Sequence, residues 1–184
     1  VSLHDQLREI ALTEFASAGY AATSLQRIAD LAGTSKASVL YHYASKEQLL
    51  ADAMAPALDE LTAIVSGIGD VAADRAQRIA FLERFVDALL AHREVVHLIV
   101  NQSATQQDVP AFARAQALMR ELSEAFELAA GSTLEKLRYG IALAGAAYTL
   151  AASDLLGLDS PPVDEIRPAL NTVLRELLAP ESED

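Results

Sequence analysis

The chain has 184 residues, no cysteine and a net charge of −12, so a disulfide scaffold, a thiolate metal site and a cysteine nucleophile are all excluded. About half of its residues are apolar, aromatic residues are sparse, and no two-residue alternation appears, which points to an all-helical protein. The most apolar stretch, Tyr139 to Leu150, is broken by Gly140 and Gly145 and is too short to span a membrane.

The first predicted helix runs from Leu3 to Ala18. Leu7, Ile10, Ala11, Phe15 and Ala18 form its apolar stripe, and Gly19-Tyr20 ends it. This opening segment is charged and amphipathic, unlike a signal peptide, so a cytoplasmic protein with no membrane partner is expected. Thr23 or Ser24 then caps a second helix whose apolar face is Leu25, Ile28, Ala29 and Ala32. Gly33 stands where positive φ would end that helix. Thr34 or Ser35 caps a third, through Val39 and Leu40 to about Tyr43. Two short helices about a glycine turn are the sequence form of a helix-turn-helix, whose second helix enters the major groove of DNA.

The acidic balance does not exclude a DNA partner, because it is unevenly placed. Up to residue 46, Arg8, Arg27, Lys36 and Lys46 are matched by Asp5, Glu9, Glu14 and Asp30, and the whole deficit lies beyond. An acidic body behind a neutral reading head limits non-specific sticking to DNA, and acidic helix faces also maintain solubility.

The run I-A-D-L-A-G-T-S-K-A-S, then Y-H-Y-A-S-K-E-Q-L-L, preceded by F-A-S-A-G-Y-A-A-T-S, resembles the DNA-binding domain of the TetR (tetracycline-repressor-like) transcriptional regulators. The resemblance covers about residues 3 to 52. It implies a three-helix DNA-binding domain over 1–46 and a ligand-binding and dimerisation domain over 47–184, with about nine helices. It also implies that Tyr41, His42 and Lys46 match positions that bind the DNA backbone in the family. Two positions depart from the pattern. Leu40 stands where members usually carry a phosphate-touching tyrosine, and Ala37 replaces the usual glycine or proline.

Ser45, with Gln48 three residues on, makes a capping box for a fourth helix to about Val65. Pro56 falls well inside it and is expected to kink or break it. After a loop over Ser66 to Asp74, a fifth helix buries Ile79, Leu82, Phe85, Val86 and Leu89. A short sixth helix follows from His92 to Asn101. Asp108 is expected to cap a seventh, with Pro110 in its first turn. Ser132 and Glu135 form a second capping box for an eighth helix, to about Leu156, that is rich in small residues. Gly157 stops it. Pro161 and Pro162 open a ninth.

Candidate DNA contacts are the capping and recognition-helix residues. Thr23 and Ser24 offer donors to a phosphate. Gln26 or Arg27 reaches a base edge or phosphate. Thr34, Ser35, Lys36, Ala37 and Ser38 open the recognition helix, where Lys36 suits guanine acceptors and Ala37 a thymine methyl. For a small effector, polar residues within apolar helices are the candidates: His97, Asn101, Gln102, Arg138, Tyr139, Tyr148 and Asp154. His92 and His97 are five apart, on different helix faces, and Glu94 with His97 lacks a third ligand, so no metal site is expected. No phosphate loop, nucleophile motif or paired carboxylates appear, so neither catalytic residues nor a cofactor are expected. The expected function is a homodimeric repressor released from a palindromic operator by a small apolar or amphipathic effector. The alternatives are a DNA-binding dimer controlled by a protein partner and, weakest, a helical enzyme.

Overall fold

The computed structural model describes residues 2–67, 74–151 and 162–180. Among them lie nine α-helices and no strand: α1 (Leu3–Ala18), α2 (Leu25–Leu31), α3 (Lys36–His42), α4 (Lys46–Ser66), α5 (Arg75–Ala91), α6 (Arg93–Gln102), α7 (Pro110–Ala129), α8 (Thr133–Ala151) and α9 (Val163–Leu178). No helix among the described residues is long and apolar enough to cross a membrane.

The helix starts follow local chemistry. The side-chain oxygens of Ser2, Ser24, Ser35, Ser45 and Asp74 each accept a backbone N–H from the first turn of the helix that follows, satisfying donors that a helix leaves unpaired. The capping boxes at α4 and α8 reach one residue further back than expected. Gln48 accepts from the Ala44 N–H at 2.8 Å and Glu135 from the Gly131 N–H at 2.7 Å. At α7 the expectation fails: Val109, not Asp108, is the cap residue, and no side chain bonds the first turn. Pro110 there removes one of the unpaired donors, so little capping is needed.

Pro56 neither ends nor splits α4, which runs unbroken for 21 residues. Leu49, Leu50 and Met54 before the proline and Leu58, Leu61 and Ile64 after it are buried in one core, and that packing overrides the lost backbone bond. Pro56 itself is exposed, so water can serve the carbonyl it leaves unpaired.

One continuous hydrophobic cluster runs from Leu7 in α1 to Leu178 in α9. The sequence division at 46/47 falls in the first turn of α4, and α4 packs against α1 as well as α5 and α7. The head and body therefore share this helix. Two ion pairs, Arg167 with Asp87 and Arg175 with Glu83, fasten α9 across α5. The loop between α4 and α5, the end of the eighth helix at Gly157, and the candidate Asp154 lie outside the described residues.

Candidate DNA-reading head and internal cavity

The turn between α2 and α3 closes with two bonds, Thr34 N–H to Ala29 C=O at 2.9 Å and Gly33 N–H to Asp30 C=O at 3.2 Å. This is the Schellman pattern, and Gly33 carries the φ of +64° that it needs. Gly19 at the end of α1 has φ +91° and ψ +143°, a region closed to side chains with a Cβ. The two glycines set the path of the chain into each helix of the motif.

The head is held from behind. The Tyr43 hydroxyl lies 3.1 Å from the Asp52 carboxylate and 3.2 Å from the His4 carbonyl, and the Tyr43 ring stacks on His4. The recognition helix is thereby tied to both α1 and α4. Burial and the Asp52 hydrogen bond push the Tyr43 ionisation well above its ordinary value.

Several expected DNA contacts are committed inside the protein. Thr23 is only 4 % exposed. Its hydroxyl donates to the Gly19 carbonyl at 2.9 Å, and its N–H bonds the same oxygen. It has no donor to offer a phosphate: the residue closes the turn after α1, and Ser24 alone is the exposed cap. Lys46 is half-buried. Its ammonium donates to the Tyr20 and Thr23 carbonyls at 2.9 and 3.0 Å and sits 4.2 Å from the centre of the Tyr20 ring, leaving one of three donors. Gln26 donates to Asp30, and Arg27 pairs with Glu14.

The outward face of α3 is freer. Lys36, Ala37, Leu40 and Tyr41 are exposed, and Tyr41 reaches 86 % exposure. His42 is half-buried against the Tyr41 ring and His4. Thr34 and Ser38 are half-buried beside the turn, and the Ser35 oxygen caps the Ser38 N–H.

Side-chain hydrogen bonds from α6 bridge head and body. Gln102, the last residue of α6, donates from Nε2 to the Phe15 carbonyl at 3.0 Å and accepts the Tyr20 N–H at 2.8 Å. Thr13 adds a bond to Glu94 at 2.9 Å. The same helix borders an apolar cavity of about 340 Å³, which lies between α4, α5, α6, α7 and α8. Phe85, Leu89, Val96, Ile99, Val100, Leu122, Phe126, Tyr139 and Leu143 supply its apolar wall. Phe126 and Tyr139 stack with ring centres 4.4 Å apart. Two rows at i, i+4, i+8 spacing, Met119-Ser123-Glu127 on α7 and Lys136-Gly140-Ala144 on α8, also line it. All six of these residues are exposed, so the cavity opens to the outside as a slot between α7 and α8.

Of the sequence-derived effector candidates among the described residues, Tyr139 is the one that lines this cavity. His97 faces α8, where its Nδ1 lies 2.8 Å from the Ala151 carbonyl. Asn101 is exposed and bonds its own helix. Gln102 is the bridge to the head. Arg138 sits beside Arg78 and Glu135 in a separate surface groove, and Tyr148 is exposed on the outer face of α8. His97, Asn101 and Gln102 are polar residues in an apolar helix because each bonds a backbone carbonyl, whereas Arg138 and Tyr148 are surface residues. The polar groups at the slot, Ser123, Glu127 and Lys136, look like ordinary solvated positions in the sequence. Their i, i+4 spacing opposite the small residues Gly140 and Ala144 is the signal that marks them. His92, Glu94 and His97 have three different partners, Glu60, Thr13 and Ala151, which separates them as metal ligands.

Residues 7–53 match a family described as bacterial regulatory proteins, tetR family. Over 112 residues the chain is 31% identical to the HTH-type transcriptional repressor KstR2 of Mycolicibacterium smegmatis, covering 60% of this chain and 55% of that protein. The chain thus spans about half the length of the curated relatives it matches. Among solved structures, the ketosteroid transcriptional regulator KstR2 of Mycobacterium tuberculosis superposes with a TM-score of 0.72 at 21% identity, over 100% of this chain and 96% of that one. A TetR-family regulator from Bordetella parapertussis 12822 superposes at 0.71 with 18% identity, over 97% and 95%. At these identities the structural likeness concerns the fold.

Proposed function

We propose that this chain, which belongs to the tetR family of bacterial regulatory proteins through residues 7–53, is a homodimeric transcriptional repressor released from its operator by a small apolar or amphipathic effector. The observation that carries the reading is the coincidence of that family match with a closed helix-turn-helix whose recognition helix presents Lys36, Ala37, Leu40 and Tyr41 outward. One head contacts few bases, and two heads about 34–36 Å apart read a palindrome. The exposed stripe Leu134, Leu137, Ile141 and Tyr148 on α8, with Val163 and Val173 on α9, supports a dimer closed over these two helices.

The cavity supports the effector. Its wall is apolar with a few polar groups at one side, the usual make-up of a small-molecule site. One structural neighbour is described as a ketosteroid transcriptional regulator, which agrees with an apolar ligand. Val96, Ile99 and Val100 of α6 touch the cavity and Gln102 of the same helix holds the head. An effector that prefers a shifted α6 then favours a conformer with misplaced heads, and lowers DNA affinity by its differential binding to the two states.

The experiment is a titration of labelled DNA from upstream of the coding region against competitor DNA and salt. Competitor-resistant binding weakened by Lys36→Ala is the expected result. Binding indifferent to sequence, for that fragment and for sites selected from random pools, refutes the reading.

A further inference from the structure

We propose that α3 reads its operator half-site chiefly through thymine methyl groups, with Leu40 and Ala37 as the specificity-determining contacts and Lys36 as the single cationic reader. The inference rests on the DNA-binding reading above and assigns the chemistry by which that head selects sequence.

Buried Val39 fixes the inward direction of α3. Rotating by about 100° per residue, Lys36, Leu40, Ala37 and Tyr41 stand about 60°, 100°, 160° and 200° around the helix from Val39. Leu40 is 43 % exposed, so an isobutyl group stands on the surface of α3. The residues that make paired hydrogen bonds to base edges are arginine, lysine, asparagine and glutamine, and Lys36 is the one residue of that kind in α3. Those on α2 are engaged: Gln26 with Asp30 at 2.8 Å and Arg27 with Glu14 at 3.2 Å. The Ser35 oxygen caps the helix and Ser38 is half-buried. What remains to face a groove is a methyl, an isobutyl group, a phenol, one ammonium and the proton of the Ser35 hydroxyl, whose oxygen is held by the cap. The major-groove edges of the four bases carry one apolar group among them, the C5 methyl of thymine. Selectivity from this face therefore comes from methyl contacts, with one guanine within reach of Lys36.

The test uses the full chain. Its preferred site is selected from a random DNA pool, and each thymine is then replaced in turn by deoxyuridine, which removes the methyl and nothing else. Burying one methyl is worth roughly fourfold in affinity. Loss at the equivalent thymine of both half-sites is expected to weaken binding roughly fifteen-fold at one or two positions and to leave the other positions unchanged. Leu40→Ala, at an exposed position, is expected to fold normally and to bind thymine and uracil equally at one of those positions. Lys36→Ala is expected to weaken binding while leaving the uracil effect intact. Specific binding to the selected site with every uracil substitution within twofold overturns the inference and leaves the regulator reading standing. A pool that yields no preferred site overturns both.

Discussion

Replacing Gln102 by alanine removes the one amide that joins the body to the turn after α1. Two bonds are lost, at 2.8 Å from the Tyr20 N–H and 3.0 Å to the Phe15 carbonyl. Each such bond contributes about 0.5–1.5 kcal/mol net, so the variant should be destabilised by roughly 1–3 kcal/mol. In a protein of this size each kcal/mol corresponds to roughly 2–4 °C in melting temperature. The readout is thermal melting at fixed protein concentration, paired with operator binding. Binding should weaken too, because Tyr20 and Thr23 supply the carbonyls that hold Lys46. Gln102→Glu sharpens the test. It keeps an acceptor for Tyr20 but sets a carboxylate oxygen against the Phe15 carbonyl. It should be no better than alanine at neutral pH and should recover in mild acid, where the protonated carboxyl donates again. Wild-type melting and wild-type DNA binding in both variants would refute the argument that this amide fastens the head.

Three further outcomes follow from particular groups. The Tyr20 hydroxyl is buried near the Glu47 carboxylate without closing a full hydrogen bond to it, so Tyr20→Phe should cost less than about 1 kcal/mol by melting, and a larger loss would mean that the Tyr20–Glu47 contact is a full hydrogen bond. Burial, with the Glu47 carboxylate beside it, pushes the ionisation of Tyr20 from 10.0 to about 12. A raised value means that this stability is complete below pH 10 and is eroded as pH rises from there through 12. A tyrosinate absorbance titration should show the delayed ionisation, diminished in Tyr20→Phe. Gly140→Leu should close the slot between α7 and α8, since nothing lies within 4 Å of a Cβ built there. The variant should lose binding of an apolar fluorescent dye that the native chain takes up, and undiminished dye uptake would show entry by another route.

Local features were the legible ones. Ser24, Ser35, Ser45 and Gly33 act on backbone within a few residues of themselves, so their roles follow from order along the chain. Features that distant packing decides are not legible in this way. The backbone penalty of Pro56 was visible, whereas the buried residues that outweigh it become apparent only when α4 is seen against α1, α5 and α7. Nothing in the sequence reveals that the Tyr20 and Thr23 carbonyls converge on Lys46. The cavity was the least legible part. Its slot is defined by rows on two helices, and neither row differs from a solvated face until the other lies opposite.

Gly140 and Ala144 line the slot, and Leu137 and Ile141 stand beside them on the exposed apolar stripe of the same helix. In the proposed dimer one rod of α8 is thus both the rim of the effector's entrance and the seam between subunits. Loading the cavity and parting the subunits become linked equilibria, so whatever holds the seam together resists any ligand that spreads the rim. Sensitivity to the effector would then depend on how many copies of the repressor a cell contains as well as on the fit of the ligand. A cell could retune its response by changing expression level alone, with no substitution in the cavity.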